Sequence, residues 1–242
     1  SKDSVLIVSH EPWMSAEICS YPDGEPVGKL KAMMLNLYDM TVEEIQQYDC
    51  GSRGNERFPE QQPMATVKPT LKQVVDKIEE YTAALNLPPV DYNIEIKSKP
   101  MGDGRYHPSP AEFVNLVLAE IDDLGITDRV TVQSFDERPL SILFEVDAPV
   151  RLAYLVSEGA DVQAQLDELG FVPDIFSPNH ELLDAEVVNA AHEAGMLVIP
   201  WTVNEETRMK DLLVMGCDGL ITDYPARGGA VADAFKARYF DN

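Results

Sequence analysis

The chain is expected to fold as an α/β protein built on a parallel sheet, open or closed. Three observations predict this. From residue 70 onward one unit recurs, an amphipathic helix ending at a glycine and followed by a short β-rich run. Strands that alternate with helices belong to a parallel sheet. The strand interiors are apolar, whereas their C-terminal ends carry polar and charged residues. In a parallel α/β protein these ends share one rim, where ligands bind.

The elements follow in order. Val5-Leu6-Ile7-Val8 is an apolar strand that runs into Ser9-His10-Glu11-Pro12. Residues 11–69 break the rhythm with prolines, glycines and turn signals such as Pro22-Asp23-Gly24. Within them, Thr41-Val42-Glu43-Glu44 is a capping-box pattern that opens one short helix. So long an irregular stretch in a compact domain is usually functional, as a lid or a substrate loop. Thr70 caps the next helix, with Leu71, Val74, Val75, Ile78, Tyr81 and Leu85 on one face. Residues 92–97 form a strand. Ser109 and Pro110 open a helix with Phe113, Val114, Val117, Leu118 and Ile121 at helical spacing. Glycines 125, 170, 195 and 216 each end a helix, as a residue free to take the left-handed conformation does. They lead into strands at 130–134, 174–177, 196–202 and 218–222, and residues 151–156 complete a set of six. A shorter helix covers 205–213.

The rim so defined carries His10, Glu95 with Lys97, Ser134 with Asp136, Ser177 with Asn179, Thr202 with Asn204, and Thr222 with Asp223. Asp136, Asn204 and Asp223 are equally ordinary helix caps or turn residues. In Tyr92-Asn93-Ile94-Glu95-Ile96-Lys97, the carboxylate and the ammonium lie two residues apart and share a face of the strand, with Ile94 and Ile96 opposite. Charges at the end of an apolar strand are costly to bury unless they pair or bind something. Either they mark a site, or the strand is an exposed edge and its charges are solvated.

Composition bounds the partners. The net charge is 19 − 42 = −23, so no basic surplus exists to neutralise the phosphates of a nucleic acid or to dock on an anionic membrane. A small phosphate-bearing substrate remains open, since a few local cations or a metal suffice to hold it. No apolar run approaches the ~20 residues of a membrane span, so stable membrane insertion is not expected. No signal peptide is visible, and the chain begins at Ser1 without an initiator Met, so the N-terminus does not reveal a compartment. Cys19, Cys50 and Cys217 lack metal-type spacing. Cys217 is read as packing. Cys19 and Cys50 either pair in an oxidising compartment or remain two free thiols. Gly102-Asp103-Gly104 lacks the third glycine and the following helix of a dinucleotide fingerprint.

Seven segments together resemble the glycerophosphodiester phosphodiesterase family, a TIM-barrel group related to phosphoinositide-specific phospholipases C. They are Val8-Ser9-His10-Glu11-Pro12, Tyr48-Asp49-Cys50-Gly51, Lys68-Pro69-Thr70-Leu71, Asn93-Ile94-Glu95-Ile96-Lys97, Gln133-Ser134-Phe135-Asp136, Trp201-Thr202-Val203-Asn204 and the run from Asp218-Gly219-Leu220 to Thr222-Asp223-Tyr224-Pro225. They come in the family's order and span nearly the whole chain. The resemblance implies a TIM (β/α)8-type barrel in a single domain over 1–242, with an irregular insertion at about 11–69. The family's His-Arg-Gly strand, its Pro-Glu-Asn-Thr helix and its Glu-x-Asp strand are not matched here. The expectation is therefore an N-terminally truncated barrel with about six of eight strands, inactive or much weakened by itself.

Residue by residue, the resemblance makes Glu95 a ligand to a divalent metal, for which Ca²⁺ or Mg²⁺ suits all-oxygen ligation. It makes His10 one of two general acid–base histidines and Lys97 the cation on the phosphoryl oxygens. Trp201 matches an aromatic on the glycerol side of the pocket, although a barrel-core tryptophan reads the same way. Phe135 and His180 are expected to line the substrate as well. His107 is read as a solvated loop residue and His192 as structural, near a helix C-terminus. The implied reaction is metal-dependent cleavage of a glycerophosphodiester, such as glycerophosphocholine, to glycerol 3-phosphate and an alcohol. The resemblance also suggests that a glycerol hydroxyl attacks phosphorus first. Two other readings stand beside it. One is a catalytically incomplete barrel acting as a binding protein or inactive fragment. The other is a related phosphodiesterase acting on lysophospholipids or sphingolipids, against which stand the scattered apolar residues of 11–69 among many charges. Relatives occur in cytoplasm and periplasm, with a lean here to the periplasm.

Overall fold

The computed structural model describes residues 1–239, in two compact units. One comprises Ser1–Val90 with Ser98–Thr127, and the other Asp91–Lys97 with the chain from Asp128 onward.

The first unit holds four helices, α1 (Lys29–Ala32), α2 (Val42–Ile45), α3 (Leu71–Ala84) and α4 (Pro110–Asp123). The last three start where the sequence places them. Thr41, Thr70 and Ser109 each accept a backbone N–H three residues on, from Glu44, Gln73 and Glu112, whose side chains accept the cap's own N–H in return. This reciprocal bonding satisfies two of the donors a helix start leaves free. α4 buries Val114, Val117 and Ile121, as its spacing predicts. α3 buries Leu71 and Val75, but Tyr81 and Leu85 near its end are exposed, so the apolar stripe stops short.

The expected strand at Val5–Val8 does not form. Its backbone makes a single antiparallel bridge, Ile7 with Thr70, flanked by Val8 N–H to Pro69 O (2.9 Å) and Leu71 N–H to Leu6 O (3.0 Å). The partner stretch explains this. Pro69 has no N–H to donate, and the chain turns into α3 at Leu71, so no ladder can extend. The irregular segment has a core of its own, in which Met14, Val27, Leu37 and Ile45 gather around the disulfide Cys19–Cys50. Of the two readings open for these cysteines, the structure adopts the pair.

The second unit is a parallel sheet of five strands in sequence order: β1 (Tyr92–Glu95), β2 (Val130–Ser134), β3 (Arg151–Val156), β4 (Ile175–Pro178) and β5 (Leu197–Val198). Helices α5 (Glu137–Glu145), α6 (Val162–Leu169) and α7 (Ala185–Glu193) connect β2 to β5, and α8 (Glu206–Met215) and α9 (Pro225–Tyr239) follow. Val132, Phe176 and Val198 are fully buried. α6 and α8 end at Gly170 and Gly216 with φ of 83° and 109°, where any other residue would be strained. Among the described residues the sheet is open, with five strands rather than six. The expected strand at 196–202 keeps only Leu197–Val198 as β5, although hydrogen bonding toward β4 runs on through Ile199 N–H to Phe176 O and Trp201 N–H to Pro178 O (both 3.0 Å), and Pro200 has no N–H to offer the neighbour on its other side. Residues 218–221 do lie alongside, with Asp218 N–H bonded to Val198 O and Ile221 N–H to Pro200 O (both 2.9 Å), but they form no strand.

Candidate functional site

Because β1 to β5 are all parallel, their C-terminal ends share one edge of the second unit. Glu95 closes β1, and the hydrogen-bonding continues one step further through Ile96 N–H to Gln133 O (2.9 Å). Alternation then puts Asn93, Glu95 and Lys97 on one face, with Ile96 buried on the other. Lys97 Nζ lies 3.5 Å from Glu95 Oε1, and Asn93 Nδ2 donates to Gln133 Oε1 at 3.0 Å. The Lys97 side chain is 38% exposed and that of Glu95 is 23% exposed. The two charges pair and still face solvent, so the ammonium is held in place with donors available to an anion.

The predicted aromatics meet on the same edge. Phe135 and Trp201 pack edge to face, with ring centroids 5.1 Å apart and planes at 87°. Trp201 is fixed by Nε1–H to Ser177 O (2.9 Å), and Phe135 remains 42% exposed. The indole therefore presents a ring edge and an open partner rather than a closed core. His180 follows β4, with its backbone N–H bonded to Trp201 O (2.9 Å). Arg208 of α8 donates through Nε to His180 Nδ1 (3.4 Å) and through Nη2 to His180 O. Burial, then the Arg208 charge, lowers the His180 pKa. A neutral ring whose Nδ1 accepts carries its proton on Nε2, which makes it a hydrogen-bond donor.

Several rim residues serve the scaffold instead. Buried Ser134 and Ser177 donate to Ile96 O (2.7 Å) and Ile199 O (2.6 Å), tying neighbouring segments together. Asp136 caps α5 and holds Arg138 through two nitrogens. Asn204 Oδ1 accepts from Thr222 Oγ1 and Asp223 N–H, and its Nδ2 donates to Asp223. His192 pairs with Asp218 at 3.0 Å, the structural role expected of it. Cys217 is a buried thiol whose pKa burial pushes up to about 11, in keeping with packing.

His10 lies in the first unit. Its side chain is 77% exposed, and Nδ1 is 2.9 Å from Glu11 Oε1. Ser9 Oγ donates to Glu11 O (2.6 Å) and accepts from Lys68 Nζ (2.6 Å). Lys68 is 5% exposed. In sequence Lys68 stands out only as part of a segment resembling the family, and nothing in a lysine before a proline signals burial; Arg208 is likewise silent, since its partner is 28 residues away. His107, expected as a solvated loop residue, is instead buried, with Nε2 accepting from Lys99 N–H (3.0 Å) and Nδ1 set against Pro108 O (2.9 Å). The loop at 99–108 folds back over the ring, which a loop position in sequence does not reveal.

Among the described residues no three His, Cys, Asp or Glu side chains converge as a metal site. Glu95 is a single carboxylate already beside an ammonium, short of the six or more oxygens that Ca²⁺ takes. These residues do not by themselves fit a resident cation. No helix among the described residues is long and apolar enough to cross a membrane.

The fold is that of the TIM-barrel phosphodiesterases. A solved chain from Silicibacter pomeroyi DSS-3, assigned to the glycerophosphoryl diester phosphodiesterases, superposes with a TM-score of 0.81 at 24% identity, covering 97% of this chain and 81% of its own. An Oleispira antarctica phosphodiesterase, solved with the product sn-glycerol-3-phosphate, superposes with a TM-score of 0.71 at 20% identity, covering 96% and 81%. In sequence, a glycerophosphodiester phosphodiesterase of Bacillus altitudinis is 29% identical over 205 residues, 82% of this chain and 74% of that protein. One of Bacillus subtilis (strain 168) is 27% identical over 234 residues, 93% and 71%. The glycerophosphoryl diester phosphodiesterase family model matches residues 1–227, and the chain belongs to that family.

Proposed function

We propose that this protein hydrolyses glycerophosphodiesters to glycerol 3-phosphate and an alcohol. The observation that carries the reading is the Lys97 ammonium held 3.5 Å from Glu95 at the C-terminal end of β1. A solvated, oriented cation there suits the oxygens of a phosphodiester, whose negative charge grows as the P–O bond to the alcohol breaks. His10 is assigned the proton transfers: it takes a proton from the attacking hydroxyl or gives one to the departing alcohol oxygen. Trp201 and Phe135 offer an apolar wall for the glycerol carbons, and His180 Nε2–H a donor to a hydroxyl or phosphoryl oxygen. The product-bound Oleispira relative supports glycerol 3-phosphate as the product class.

Within this proposal Glu95 is the residue that would contribute to a Ca²⁺ or Mg²⁺ site. Such an ion would neutralise and polarise the diester. With a single carboxylate at hand, no step is assigned to it. The disulfide Cys19–Cys50 supports a periplasmic or secreted location, since such bonds persist in oxidising compartments.

The test is release of glycerol 3-phosphate from glycerophosphocholine, with Ca²⁺, with Mg²⁺ and with chelator. Release that Glu95→Gln abolishes in a folded protein is the expected result. No release under any of these conditions, either by this chain or by a version that also carries the family's His-Arg-Gly and Glu-x-Asp segments, with both folded, would overturn the proposal.

A further inference from the structure

The Ser9-His10-Glu11 turn is braced from beneath by a residue to which the reaction assigns no role. Lys68 is only 5% exposed. A lysine so placed is rare, because an ammonium is costly to take out of water unless something offsets it. Burial pulls its pKa below the ordinary lysine range, and the Glu11 carboxylate opposes that pull. Among the described residues, the hydrogen bond found for its Nζ runs to Ser9 Oγ at 2.6 Å. Ser9 Oγ in turn donates to Glu11 O at 2.6 Å, and Glu11 Oε1 stands 2.9 Å from His10 Nδ1. The bridge of Ile7 with Thr70 brings the two stretches side by side, so backbone as well as side chain sets Lys68 against Ser9.

We propose that Lys68 is a positioning residue for His10: through Ser9 its buried ammonium fixes the turn in which Glu11 holds the imidazole by Nδ1, leaving Nε2 as the nitrogen that exchanges protons with substrate. The hydrogen bond on one ring nitrogen decides the tautomer of the other, and groups that orient a catalytic histidine act through that choice. The inference rests on the assignment of His10 as the general acid–base group, and its test separates the two.

Lys68→Met keeps the length of the side chain and removes the charge; Ser9→Ala keeps the charge and removes the link. Each is compared with wild type and His10→Ala by turnover of glycerophosphocholine and by ¹⁵N spectra of the imidazoles in alkaline buffer, the His10 signal being the one that His10→Ala deletes. We expect Lys68→Met to lower kcat by at least about 10-fold, the scale on which an orienting partner of this kind counts. KM should stay within about twofold, since ground-state binding is untouched. Ser9→Ala should do the same more weakly. In wild type the His10 ring should be protonated at Nδ1, and in both variants it should become a mixture of tautomers. If His10→Ala retains activity, the acid–base assignment fails, while a tautomer shift in the variants still upholds the positioning by Lys68. If His10→Ala is inactive but Lys68→Met and Ser9→Ala keep wild-type kcat and an unshifted ring, the positioning role is overturned. Should Lys68→Met not fold, Ser9→Ala decides alone by the same two readouts.

Discussion

The segment 11–69 and the sheet of the second unit are held together in opposite ways. The sheet is built from repeats: each strand hands over to a helix, and each parallel pairing is of the same kind. Its stability comes from a local pattern repeated. The irregular segment has two short helices, α1 and α2, a single 3₁₀ turn at Leu37–Asp39, and no ladder. It is tied by long-range links: the disulfide across 31 residues, Arg53 Nη1 donating to Ala16 O and Cys19 O, and Asp49 collecting the N–H groups of Gly51, Ser52 and Thr66. Regular structure satisfies backbone groups by repetition, whereas an irregular chain must satisfy each one individually. The candidate chemistry divides along the same line, with Glu95 on β1 and Lys97, Phe135 and Trp201 just beyond the C-terminal ends of β1, β2 and β5, against His10 on a braced turn.

Substitutions on each side test that division. The largest effects should be catalytic. Lys97→Ala is expected to lower kcat by about 10²–10³-fold, as for other lost charge-stabilising donors, and His10→Ala by about 10²–10⁴-fold, the usual worth of general acid–base catalysis. Steady-state release of glycerol 3-phosphate, with circular dichroism to confirm folding, measures both. A wild-type rate in either variant removes that residue from the mechanism.

Next comes the disulfide. Converting Cys19 and Cys50 together to Ser should cost about 3–4 kcal/mol for a closed loop of 31 residues. Hydrogen exchange should show the loss around Met14, Val27, Leu37 and Ile45 and leave β2, β3 and β4 protected. Equal loss in both would show that the two regions are not independently held. A smaller effect is expected from Thr70→Ala, which removes one cap of a capping box at about 1 kcal/mol in chemical denaturation.

Asp49 should give the smallest effect, and one that depends on pH. Its side-chain bond from Ser52 and the backbone N–H groups of Gly51, Ser52 and Thr66 hold its carboxyl well below the ordinary value of 3.8. A depressed folded-state pKa favours the folded state whenever the group is ionised in both states. That contribution is complete above the unfolded value and is lost as pH falls toward the folded one. Asp49→Asn should therefore be less stable than wild type at neutral pH, with the difference shrinking below pH ~4. A difference that persists unchanged into strong acid would show that Asp49 acts otherwise than through its charge.

Much of this was legible in one dimension because the interactions concerned are local. Thr41, Thr70 and Ser109 cap helices by bonding three residues ahead, so a capping box can be read directly. Period-two alternation places Glu95 and Lys97 together without knowledge of any other element. The glycines that end α6 and α8 are required by the local backbone angle, whatever surrounds them. The strand at Val5–Val8 was not decided locally, because its partner ends at a proline and a helix start more than sixty residues away. Nor was the burial of His107, which depends on how the 99–108 loop closes over the ring. Whether Cys19 meets Cys50, whether His180 meets Arg208, and whether Lys68 lies beneath Ser9 depended on distant stretches being brought together. Sequence alone determined the α/β rhythm, the starts of α2, α3 and α4 and the shared face of Glu95 and Lys97, because each rests on the geometry of a few consecutive residues. Tertiary structure decided which charges are buried and which ring nitrogen is held, because desolvation and hydrogen-bond partnership are set by whatever else occupies the space around a side chain.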